Sequence, residues 1–89
     1  MDNTGYEYLK AAASRDPIGR LLVTVHRLGS GARISTAVAE VDLSESASMA
    51  AIAEAEWGGL LKRVTRDGGV YLTLTPQGQA RVEAIMRPA

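Results

Sequence analysis

The spacing of apolar residues changes at one glycine pair, Gly58-Gly59, and that change restricts the fold more than any other feature of the chain. Before the pair, Ile18, Leu21, Leu22, Val25 and Leu28 recur at helical spacing, one stripe aimed at a core. Met49, Ile52, Ala53 and Trp57 repeat the pattern nearer the glycines. After the pair, "LLKRVTR" and "VYLTL" are rich in branched and aromatic residues, with "DGG" between them. Asp-Gly between two such runs marks a hairpin. Thr75-Pro76 returns the chain to helix, a capping hydroxyl followed by a proline suited to the first helical position. Val82, Ile85 and Met86 give that last helix its stripe. The expected fold is mainly α with a small antiparallel β-hairpin.

The same start signal occurs earlier, at Asp16-Pro17. Proline excludes Asp16 from helical geometry and leaves it free to cap. "GSG" at Gly29–Gly31 stops that helix. "ARIS" reads as a short strand or a bridge. Ser35 is placed to cap a short helix, "TAVAEV", with Ile34, Val38 and Val41 turned inward. "DLS" then forms a turn into a helix over 44–57. Two short helices joined by a tight turn is the helix-turn-helix arrangement. Ahead of all this, Thr4 and Glu7 form a capping-box pattern for an extra N-terminal helix within residues 1–15. Its Tyr6, Leu9 and Ala13 lie at helical spacing and are the candidate dimer element.

Length sets one domain, 1–89, with its core in 17–87. Phenylalanine is absent and much of the apolar count is alanine. The core must rest on Leu, Ile, Val, Met, the tyrosines and Trp57, so dimerisation is an expected source of added burial. There is no cysteine, hence no disulfide and no thiolate zinc site. His26 is the sole histidine, with no second metal ligand at a sensible spacing. That inventory removes most nucleophile–base pairs, so no enzyme, cofactor or metal is expected. Residues 1–15 lack the pattern of a signal peptide, and no apolar run reaches membrane-spanning length. A cytoplasmic location is the matching expectation.

Over roughly residues 17 to 87, and most plainly from Ile34 to Ile85, the sequence resembles the winged helix-turn-helix domains of bacterial transcriptional regulators, especially the MarR-like and PadR-like kind. The parts that carry the likeness are "DLS" at Asp42–Ser44, "GGLLKR" at Gly58–Arg63, "DGG" at Asp67–Gly69 and "LTPQG" at Leu74–Gly78. The resemblance implies a reading helix, 44–57, entering the major groove of double-stranded DNA, and a wing, 60–74, reaching an adjacent groove or the backbone. By position, Glu45, Ser46, Ala47 and Ala50 would face bases, with Ser44 opening the helix. Ser35 and Thr36 would meet phosphate. Lys62, Arg63, Thr65 and Arg66 would supply the wing, with Arg63 and Arg66 clamping the backbone. A homodimer would read a palindrome about one or two turns across.

Charge is distributed against that scheme. The net charge is zero. Glu40, Asp42, Glu45, Glu54 and Glu56 lie between Ser35 and Gly59 with no base among them. Lys62, Arg63 and Arg66 follow in the hairpin, and Lys10, Arg15, Arg20, Arg27 and Arg33 precede. Duplex binding draws on phosphate neutralisation. The acidic helix forfeits that contribution and keeps only its N-terminal amides, serine hydroxyls and alanine methyls. The alternative expectation is therefore a protein-interaction module that uses the acidic 35–59 surface against a partner with a basic surface.

Overall fold

The structure, a computed structural model, describes residues 16–87. The expected helix in 1–15, with Tyr6, Leu9 and Ala13, lies outside the described residues. Within them the chain is mainly helical, with four α-helices and one two-stranded antiparallel sheet.

Helix α1 spans Pro17–Leu28. Asp16 caps it, its Oδ1 accepting from the Ile18 amide at 3.1 Å. Leu21, Leu22 and Val25 are buried, and Ile18 and Leu28 pack at the margin of the core. His26 and Arg27 lie in the last turn, where positive charge suits the helix dipole. A short 3-10 turn, Gly29–Gly31, follows. Ala32 is then fully buried, and its carbonyl accepts from the Leu72 amide at 2.8 Å. Arg33 pairs with Tyr71 as an isolated bridge, so the first residues of "ARIS" adopt the bridge form of the two expected.

Helix α2, Ile34–Glu40, begins two residues earlier than a Ser35 cap requires. Arg33 occupies the cap position without a side-chain hydrogen bond, and Ser35 is an exposed residue of the first turn. The bridge at Arg33 fixes where the backbone leaves the sheet and therefore where the helix starts. Asp42 then turns the chain at φ +57°, and α3 runs over Glu45–Trp57. Ser44 caps α3, its Oγ accepting from the Ala47 amide at 3.1 Å.

The buried side of α3 differs from the expected stripe. Ser48, Ala51, Ile52 and Ala55 face the core. Of the expected set only Ile52 is buried; Ala53 is exposed, Met49 is 42% exposed and Trp57 is 93% exposed. Five alanines distributed around the helix leave little contrast between faces. Small residues at the contact let α3 sit close against α1, and Met49 and Trp57 would not fit there.

Strands β1, Leu61–Arg66, and β2, Gly69–Leu74, pair in the register Leu61↔Leu74 through Arg66↔Gly69. Asp67 and Gly68 make the two-residue turn, both at positive φ (49° and 76°). This is the backbone form that suits the twist of a hairpin. Helix α4 spans Pro76–Met86. Thr75 holds its start: the Thr75 hydroxyl donates to the Gly59 carbonyl and accepts from the Gly78 amide at 3.0 Å. Gly78 lies so close to the Leu60 carbonyl that a Cβ there would stand 2.0 Å from the oxygen. Val82 is fully buried and Ile85 half-buried, whereas Met86 is 41% exposed, contrary to the expected stripe.

The buried apolar set is Leu21, Leu22, Val25, Ala32, Ala37, Val41, Ala51, Ile52, Ala55, Leu61, Leu72 and Val82. No Met, Tyr or Trp is in it, so the core of the described residues is aliphatic and smaller than the sequence composition suggests.

Candidate nucleic-acid interface

Two surfaces hold the residues singled out from the sequence. The first is the start of α3 and of α2. Ser44, Glu45, Ser46 and Ala50 are exposed, and Ala47 is half-buried. The Ser44 and Ser46 hydroxyls stand 3.5 Å apart. Ser35 is exposed and Thr36 half-buried in the first turn of α2. The turn between these helices is tied to α1: Arg20 Nη2 donates to the Asp42 carbonyl at 2.8 Å and to Asp42 Oδ2 at 3.0 Å. That tie fixes how α2 and α3 sit relative to the rest of the molecule.

The second surface is the hairpin. In an antiparallel pair, directly opposed residues share a face and neighbours along a strand alternate. The register therefore places Leu61, Arg63, Thr65, Val70, Leu72 and Leu74 on one face. Leu61 and Leu72 are buried, so this face turns toward the core. Its Arg63 is engaged: Nε donates to both carboxylate oxygens of Glu56 at 2.9 Å. Lys62, Val64, Arg66, Tyr71 and Thr73 share the outward face, and the Arg33↔Tyr71 bridge adds Arg33 to it.

That outward face is a cationic and aromatic surface. Arg66 lies over the Tyr71 ring, 4.4 Å from its centroid, and Arg33 stands 5.9 Å from the same ring. Such stacking is worth about 0.5–1 kcal/mol at an exposed site. Arg66 Nη2 also donates to the Ser30 carbonyl. These contacts orient the guanidinium groups without neutralising them. None of the face's residues is acidic, and Lys62 has no ion-pair partner among the described residues.

The structure thus separates the four wing residues named from sequence. Lys62 and Arg66 share the outward face, Arg63 is paired with Glu56, and Thr65 is exposed on the other face. Arg33 and Tyr71 were not singled out from the sequence. Tyr71 was reachable, since the Asp67-Gly68 turn fixes its register against Val64. Arg33 joins through a bridge to a residue far along the chain, which no local pattern encodes. No group of His, Asp and Glu among the described residues could hold a metal ion, and no helix there is long and apolar enough to cross a membrane.

No protein-family model matches this chain, and no curated protein and no solved structure gives a significant match.

Proposed function

We propose that the chain is a winged helix-turn-helix DNA-binding regulator, with α2 and α3 as the helix-turn-helix and β1–β2 as the wing. The observation that carries this reading is the outward hairpin face, where Arg33 and Arg66 stand over the Tyr71 ring and Lys62 shares the face, with no carboxylate among them. A duplex backbone is the matching polyanion, and its binding is driven by counterion release.

Helix α3 then contributes shape and weak polar contacts rather than charge. Its first amides favour phosphate, the Ser44 and Ser46 hydroxyls can hydrogen-bond backbone or bases, and the exposed Ala50 methyl suits a thymine methyl. Glu45 can accept from a cytosine amino group. A homodimer built with residues 1–15 belongs to the same proposal.

The test is fluorescence anisotropy with mixed-sequence duplex DNA at low and then near-physiological salt. Binding that weakens steeply with salt supports the reading. No binding at low salt overturns it.

A further inference from the structure

The outer face of α3 is apolar where a purely DNA-reading helix needs polar groups. At 100° per residue, Ser46, Met49, Ala50, Ala53 and Trp57 fall within a sector of about 100°. They lie opposite the buried set Ser48, Ala51, Ile52 and Ala55. Trp57 is 93% exposed and Met49 42%. A tryptophan left almost wholly in water on an ordered helix is the type of residue that anchors interfaces. Met49 and Trp57 stand at the two ends of an alanine floor, about 12 Å apart along the helix axis. Small residues between two large ones let a second helix approach closely at Ala53.

Charge selects the kind of helix. Glu45 lies beside one edge of the sector and Glu54 beside the other, both exposed and without an ion-pair partner among the described residues. No base occurs anywhere from Ile34 to Gly59. We infer that the Met49–Ala53–Trp57 face of α3 docks a cationic amphipathic helix of a partner protein, its apolar stripe on Trp57 and its flanking Lys or Arg against Glu45 and Glu54. This inference does not rest on DNA binding. If the DNA reading also holds, the two are antagonistic, because a docked helix covers the side of α3 that would enter the groove.

Trp57 is the chain's sole tryptophan and reports directly on the site. The probe is a synthetic helix free of tryptophan, with leucines on one face flanked by lysines, titrated into the full chain. A control peptide carries glutamates in place of the lysines. The expected result is saturable binding of the lysine peptide with a blue shift of Trp57 emission, and no shift with the glutamate peptide. By anisotropy of labelled peptide, Ala53→Lys and Trp57→Ala each weaken binding by about 30-fold, the loss expected when the floor is blocked or an aromatic anchor is removed. Both positions are exposed, so the variants retain the fold. Equal binding of the two peptides, or unchanged affinity in both variants, overturns the inference. So does a Trp57 shift produced by self-association of the chain without peptide, which would assign the face to a second copy. If duplex DNA also shifts Trp57, the lysine peptide should compete with it, and failure to compete overturns the shared face.

Discussion

Arg63 Nε donates to both carboxylate oxygens of Glu56 at 2.9 Å, which joins the end of α3 to the first strand of the hairpin. The pair removes one of the hairpin's cations from free display. Arg63→Ala is therefore expected to change DNA affinity less than Arg66→Ala. Glu56→Gln is expected to strengthen binding, since it frees Arg63 and removes a negative charge. The pair is partly exposed, so its loss should cost at most about 1 kcal/mol of stability. Anisotropy on the three variants, with urea unfolding as the stability control, checks both statements.

The junction of hairpin and α4 has no room for a side chain at Gly78. Gly78→Ala forces a Cβ onto the Leu60 carbonyl and is expected to cost about 3 kcal/mol. Thr75→Ala removes the hydroxyl that serves both Gly59 and Gly78, at about 1–2 kcal/mol. Against a total of about 5–15 kcal/mol, either loss is large in a denaturant titration. A Gly78→Ala chain as stable as the native one would contradict the close approach.

Ser48 is fully buried, and its hydroxyl has no partner among the described residues. Ser48→Ala removes that uncompensated group and improves helix propensity, so stability should rise by about 1 kcal/mol. A drop in melting temperature would mean that the hydroxyl is bonded.

Asp42 holds φ +57° while it accepts from Arg20. Asp42→Ala loses the side-chain bond and keeps the strained backbone; Asp42→Gly loses the bond but relieves the strain. The glycine variant should be the more stable of the two by about 1 kcal/mol. Equal unfolding midpoints would contradict the backbone assignment.

Three of the four helix starts among the described residues, and the hairpin, were legible in the sequence because short-range chemistry specifies them; the start of α2 was not, because the Arg33 bridge to Tyr71 sets it. Asp16, Ser44 and Thr75 all cap as their residue types direct, and Asp67-Gly68 turns the hairpin at positive φ. The rotation of α3 was not legible. A helix with alanines on every side is placed by the tightness of its contact with α1, which its own periodicity does not record. Met49 and Trp57 drew the expected stripe to the wrong face for that reason. The candidate interface divides the same way: Lys62 and Arg66 follow from hairpin register, but Arg33 reaches the same face only through its bridge to Tyr71. The pairing of Arg63 with Glu56 likewise depends on how α3 ends beside β1.

The most direct measurement compares the salt dependence of duplex binding for the native chain and the Arg33→Ala, Arg66→Ala double variant. If the outward hairpin face grips phosphates, the slope of log K against log salt should become shallower by about two on losing both side chains, with affinity falling uniformly across DNA sequences. A native chain that binds with the same slope after the double substitution would contradict that grip and place the DNA contact elsewhere on the molecule.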